Sequence, residues 1–162
     1  VGGQGVVLAG RILALAAFHD GRWATCIQAY SSRVRGAPVE SDVIISDRRI
    51  SYPFVRRPDI LVALAEPAFR FASRMAEDGI LITDTSLAHL AGGLRARKVL
   101  APIFEAAGEA GSPSLANMVA LGVLVGHTEL VSARSVEEAV GESVSAAFLE
   151  QDLRAFRLGL RL

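Results

Sequence analysis

The sequence predicts a single α/β domain, a Rossmann-like three-layer fold with a mostly parallel sheet and helices on both faces. Three observations carry that expectation. Short continuous apolar runs at 60–64 and 80–83, bounded by turn signals, read as strands buried on both faces. Helix-patterned stretches alternate with them, which points to βα units and a parallel sheet. The opening Gly2-Gly3-Gln4-Gly5 runs straight into an apolar helix, as glycine turns between strand and helix do. A chain of 162 residues suits one domain with one core.

The elements follow in order. Residues 5–19 read as a helix that is apolar almost all round, so heavy burial is expected. Asp20-Gly21 breaks it. Residues 23–29 form a short β-prone run, followed by a polar, arginine-bearing loop over 30–38. Residues 39–46 alternate Val39, Ser41, Val43 and Ile45 against Glu40, Asp42, Ile44 and Ser46, a strand with one wetter face. Pro58-Asp59 introduces the strand at 60–64. Residues 67–75 are expected to be helical, with Pro67 in the first turn. Further strands are placed at 80–83 and 98–103, the latter followed by a short helix to Ala110. Past the break at 111–114, residues 117–125 read as an apolar helix. Ser135 and Glu138 fit a capping box, which places the next helix start at Ser135. A last helix covers about 148–158. A strand is also expected upstream of the glycine turn, because such a turn normally has one before it.

Composition excludes several classes. Lys+Arg and Asp+Glu are equal at 17 each, so the chain lacks the basic surface that nucleic-acid binding requires. The single cysteine, Cys26, can form no internal disulfide and cannot hold an iron–sulfur cluster that takes four thiolates. His19, His89 and His127 show no metal-ligand spacing. With no apolar run long enough to cross a bilayer and no signal peptide, the expected location is the cytoplasm.

The glycine turn is the main chemical signal. Backbone N–H groups at a helix start attract anions, and glycines allow a phosphate to approach closely. A glycine ahead of Val1 would complete G-x-G-x-x-G, with Gly2 and Gly5 as its second and third members. A tight turn holding no ligand explains the same residues as well. The next strand ends Ile27-Gln28-Ala29-Tyr30 with no carboxylate for a ribose, which argues against NAD. Arg33 and Arg35 in the following loop suit a phosphorylated ligand such as NADP or coenzyme A, or the carboxylates of a partner; two solvated arginines are the plainer alternative. Asn117 either caps a helix or reaches a ligand. Asp84 either caps a helix or sits where α/β ligands bind. Cys26 reads as a core residue. No residue is assigned a catalytic role.

Several ordered segments resemble the gamma subunit of 2-oxoacid:ferredoxin oxidoreductases, the family acting on pyruvate, 2-oxoglutarate, ketoisovalerate and indolepyruvate. Gly2 to Val6 match its G-G-Q-G-V opening, and Tyr30 to Ala37 resemble its S-Y-G-x-E-x-R-G-G segment. The strand ending Ser46-Asp47 and the run Pro58-Asp59-Ile60-Leu61-Val62 match its V-x-I-S-D and P-D-V-L-V. Asn117-Met118-Val119-Ala120-Leu121-Gly122 matches N-M-x-x-L-G, and the segment from Glu150 resembles its closing E-x-N-L-x-A-F-x-x-G. Departures fall at Ser31, Arg33 and Ala37, where many members carry Gly, Glu and Gly; Arg35 and Gly36 are kept.

The resemblance covers nearly the whole chain and implies a gamma-type domain over 1–162 within a hetero-oligomer. The assembly would oxidatively decarboxylate a 2-oxoacid, pass electrons to ferredoxin and deliver the acyl group to coenzyme A. Thiamine diphosphate and iron–sulfur clusters are expected in partner subunits, which are alpha and beta with a delta subunit as a further partner, and the chain alone is expected to be inactive. By the same analogy Gly2, Gly3, Gln4, Gly5, Arg33, Arg35 and Asn117 would contact coenzyme A. Two alternatives remain open at this point: a free-standing NADP-binding oxidoreductase, and a structural interaction module whose glycine turn is empty.

Overall fold

A computed structural model describes residues 5–30 and 39–162, without the side chains of Ala29 and Tyr30. Helix α1 (Val6–His19) ends at a tight reversal, where Gly21 takes a positive φ of 76° and the Arg22 N–H donates to the Ala17 carbonyl. The chain therefore turns back along α1 as strand β1 (Trp23–Tyr30). Strand β2 (Val39–Ser46) pairs with it antiparallel, from Trp23–Ser46 at one end to Tyr30–Val39 at the other. Helix and strands meet at Gly10, which is buried; a Cβ there would lie 1.9 Å from the Ser41 hydroxyl oxygen.

Strands β3 (Ile60–Ala63), β4 (Ile80–Asp84) and β5 (Arg97–Ala101) form a parallel sheet in that order. Among the described residues, then, the strands form a two-stranded antiparallel pair and a three-stranded parallel sheet rather than one continuous sheet. The parallel core was legible because β3 and β4 pack on both faces, β4 almost wholly buried, whereas β5 leaves Arg97, Lys98 and Leu100 exposed. Ile60, Val62, Leu64, Ile80 and Ile82 join the main core, while Leu61, Ala63 and Leu81 join a second, smaller cluster with Phe69 and Met75. Thr83, fully buried, donates its hydroxyl to the Ala63 carbonyl at 2.6 Å and so ties β4 to β3.

The connections after β3 and β4 are 3-10 helices, Glu66–Arg74 and Thr85–Ala91. The helix expected over 67–75, with Pro67 in its first turn, is present at 66–74 and is of the 3-10 type. None of the residues 66–74 is fully buried, so nothing anchors the apolar stripe that gives a short α-helix its stability. The strand placed at 98–103 runs from Arg97 to Ala101 instead. Pro102 ends it, and Ile103 already belongs to the next helix.

The remaining helices are α2 (Ile103–Ala110), α3 (Ala116–Thr128), α4 (Ala133–Ser143) and α5 (Ala146–Gly159). Helix α3 is the centre of the core, with residues 116–125 all buried. The heaviest burial falls there rather than on α1, where five of the residues are fully buried. Its backbone meets α5 directly: a Cβ on Gly122 would lie 2.2 Å from the Phe156 carbonyl, and one on Gly159 would lie 2.0 Å from the Val119 carbonyl.

The start of α4 also differs from expectation. Ser132, not Ser135, is the N-cap, and its hydroxyl accepts the Ser135 N–H at 3.1 Å. The Ser135 hydroxyl turns away to donate to Asp20 at 2.6 Å, and Glu138 pairs with Arg134. Asp20 also accepts the backbone N–H and the hydroxyl of Ser132, so it fastens the end of α1 to the start of α4. Burial alone would push the Asp20 carboxyl up; the bonds from Ser135 and Ser132, together with Arg22, hold it below its ordinary value.

Candidate functional site

The glycine turn and the centre of the fold meet at one point. Gly5 caps α1 in the left-handed conformation, with φ 64° and ψ 22°. A side chain there would be strained by its backbone and would also strike Asn117, whose Nδ2 lies 2.5 Å from the position of a Cβ. Asn117 donates from Nδ2 to the Gly5 carbonyl at 3.0 Å, across 112 residues of sequence. The same carbonyl accepts the Ala9 N–H, the first bond of α1. Asn117 is 5% exposed and lies in the first turn of α3, so it does not cap that helix. Its side chain crosses instead to the neighbouring helix.

This bond places two helix N-termini together. Neither α1 nor α3 has a side-chain cap, and neither carries an acidic residue in its first turn. The start of α3 continues from the 3-10 turn Pro113–Leu115, and the Ala116 N–H donates to the Pro113 carbonyl, so the positive dipole end that stands here is that of α1, which favours a negative group.

Strand direction brings the Tyr30–Val39 end of the β1–β2 pair to the same end. The reversal at 20–22 starts β1 at the far end of α1, and Cys26 and Ser41 lie level with Gly10. From there β1 runs towards Gly5, and the pair Tyr30–Val39 flanks residues 31–38. Of the expected contacts, Gly5 and Asn117 are brought together; Gly2, Gly3, Gln4, Arg33 and Arg35 lie outside the described residues.

The other candidates resolve into structural roles. Asp84 is buried at the end of β4, where one carboxylate oxygen accepts the Ser86 N–H and the other the Phe104 N–H, each at 2.8 Å. It caps one helix and holds the first turn of a second. Cys26 is half-buried, its sulfur 3.5 Å from the Ser41 hydroxyl. His89 is exposed. Among the described residues no group of three or more His, Cys, Asp and Glu side chains could hold a metal, and no helix is long and apolar enough to cross a membrane.

One feature had no signal in the sequence. A cleft of about 650 Å³ opens between β2 and β3, with Val6, Ala9, Leu13, Asn117, Leu121 and Leu124 along one wall. It is a property of how two sheets stand apart, which no local pattern records.

The family model for pyruvate ferredoxin/flavodoxin oxidoreductase matches residues 1–162. The 2-oxoglutarate synthase subunit KorC of Methanothermobacter thermautotrophicus is 40% identical over 99% of this chain and 90% of its own length. The crystal structure of a keto/oxoacid ferredoxin oxidoreductase gamma subunit from Geobacter sulfurreducens superposes with a TM-score of 0.85 at 34% identity, covering 99% of this chain and 92% of that one. The fold also recurs within the 2-oxoglutarate:ferredoxin oxidoreductase of Magnetococcus marinus, solved with 2-oxoglutarate, coenzyme A and succinyl-CoA bound. There the TM-score is 0.80 and the identity 20%, over 98% of this chain and 28% of that one.

Proposed function

The chain belongs to the pyruvate ferredoxin/flavodoxin oxidoreductase family, as a gamma-type subunit of a 2-oxoacid:ferredoxin oxidoreductase, and we propose that within that assembly it helps bind coenzyme A. The observation that carries this is the Asn117–Gly5 bond, which fixes the uncapped start of α1 against the first turn of α3. In this reading the N–H groups of Gly2, Gly3, Gln4 and Gly5 face the phosphates or the pantetheine arm of coenzyme A. Arg33 and Arg35, in the segment between β1 and β2, supply the matching positive charge. Asn117 keeps the turn in place and offers its remaining polar atoms to the ligand.

The chain supplies binding and orientation rather than bond-making. Thiamine diphosphate and the iron–sulfur clusters belong to the partner subunits, and electrons leave the complex to ferredoxin. The domain is cytoplasmic and works as one member of the hetero-oligomer. Exposed apolar side chains support a partner-bound state: Phe18 is 70% exposed and Phe148 61%, while Tyr52 and Phe54 lie in ring contact at the surface.

The test is amide hydrogen exchange on the assembled enzyme with and without coenzyme A. Protection gained at residues 2–5, 31–38 and the start of α3 supports the reading. Protection confined to the thiamine-binding subunits would mean that the glycine turn is a structural joint without a ligand.

A further inference from the structure

Charge is spread unevenly over this neutral chain. Thirteen residues, 47–59, join β2 to β3 with neither helix nor strand among them. Ordered loops longer than about 12 residues are uncommon in a compact domain, and those that occur mostly carry a binding role. Between its two ends this loop carries Arg48, Arg49, Arg56 and Arg57 and no acidic side chain. All four arginines are exposed, and none forms an ion pair among the described residues. The acid at the start of the loop, Asp47, is already bound to Arg22 at 2.9 Å. Asp59 at the other end offsets one of the four charges, which leaves a surplus of three.

The same loop displays aromatic rings. Tyr52 and Phe54 are 49% and 52% exposed, with their ring centroids 5.5 Å apart. The Arg56 guanidinium carbon sits 4.4 Å from the centre of the Tyr52 ring. Stacking of this kind holds the guanidinium in place while its N–H edge stays open, so little entropy is left to lose when a carboxylate binds. Tyrosine and arginine are the residue types that anchor protein interfaces, and here they are set against each other in advance.

The loop starts at the end of the domain opposite the glycine turn. Arg22, which holds Asp47, also donates to the Leu130 carbonyl at 3.0 Å, and Leu130 lies just past the last turn of α3. Asn117, bonded to Gly5, lies in the first turn of the same helix, which is about 20 Å long. The exposed Trp23, paired with Ser46, borders the loop at this end.

We infer that residues 48–57 dock an acidic surface of a partner subunit of the oxidoreductase. Its carboxylates meet Arg48, Arg49 and Arg56, and its apolar atoms cover Tyr52 and Phe54. Other anions fit less well. Nucleic acid needs a basic surface broader than one loop, and the chain as a whole is neutral. Ferredoxin has to dock over an iron–sulfur cluster, and a chain with one cysteine offers no four-thiolate site. Such docking presupposes membership of the assembly and is independent of what the glycine turn binds.

Reconstitution of the holoenzyme from purified subunits tests it, with this chain carrying either Arg48→Glu and Arg49→Glu together or Tyr52→Ala. At low salt each variant should raise the dissociation constant of the chain from its partners by about tenfold or more. The gap between the glutamate pair and the parent should narrow as salt screens the contact, whereas that of Tyr52→Ala should persist. Arg48→Lys with Arg49→Lys should recover most of the affinity, which separates lost charge from a lost fold. The KM for coenzyme A should be unchanged in the complexes that form, so this docking and the coenzyme A reading fail separately. Assembly of the glutamate pair at full strength would overturn the inference, and so would equal weakening by the lysine pair. A raised KM for ferredoxin in an intact complex would reassign the loop to the electron acceptor and overturn it as well.

Discussion

Asn117 and Gly5, 112 residues apart, share one hydrogen bond, and the space that the glycine leaves empty is the space that the asparagine occupies. Each residue therefore constrains the other, and the pair joins the first turn of α1 to the most deeply buried helix of the fold.

Gly5→Ala should cost about 2 kcal/mol, from the left-handed backbone and the collision with Asn117. Asn117→Ala should cost about 1–2 kcal/mol through the lost bond and the void. The double variant should cost less than the sum, because truncating Asn117 makes room for the new methyl group. Urea denaturation of all four proteins measures the coupling directly.

Gly122→Ala and Gly159→Ala should each destabilise by about 3 kcal/mol, the upper part of the range for an overfilled core, because the obstacle is backbone and cannot swing aside. The closest atoms are the Phe156 and Val119 carbonyls, so the cost arises from forcing α3 and α5 apart. Thermal unfolding of the purified chain should show both variants far below the parent, and Gly141→Ala, on the open side of α4, close to it.

Asp20→Asn should weaken the chain at neutral pH and matter less in acid. The folded carboxyl binds its proton less tightly than the unfolded one, so its contribution is complete above the unfolded value of about 3.9. It is lost as the pH falls through the still lower folded value. Asp20 is exposed, so the effect is modest, no more than about 1 kcal/mol. Denaturation midpoints of the two proteins, compared from pH 7 down to pH 3, should converge.

Asp152 behaves in the opposite sense. Burial raises its carboxyl above the ordinary value, so the charged form is the costly one once the pH passes the unfolded value. Asp152→Asn should therefore stabilise the chain at pH 7, and the gain should vanish in acid, where both side chains are neutral. Urea denaturation at pH 7 and at pH 3 checks both halves of this expectation. The asparagine in the family's closing pattern falls at this position.

These sites show what a sequence can and cannot disclose. Residues 60–64 and 80–83 were legible because strands buried on both faces are continuously apolar, and the strand at 39–46 was legible from its alternation. The start of α4 was misplaced because Ser132 and Ser135 both suit an N-cap. Only the carboxylate of Asp20, from the far end of α1, decides that Ser135 bonds sideways. The helix at 66–74 was legible, but its 3-10 type was not, because its lack of buried residues is a fact of tertiary packing. Asn117 was singled out by residue type and by resemblance, but its partner was not, since no local pattern links it to a carbonyl 112 residues away. The glycines of α3 and α5 stood within recognised motifs, and only the structure shows that the two motifs touch.

The most direct test of the coenzyme A reading is steady-state kinetics of the reconstituted holoenzyme carrying Arg35→Ala in this chain. Loss of one charge-assisted phosphate contact, about 1.5–3 kcal/mol, should raise the KM for coenzyme A at least tenfold and leave the KM for the 2-oxoacid unchanged. An unchanged KM for coenzyme A, with the complex intact, would contradict a role for this domain in holding it.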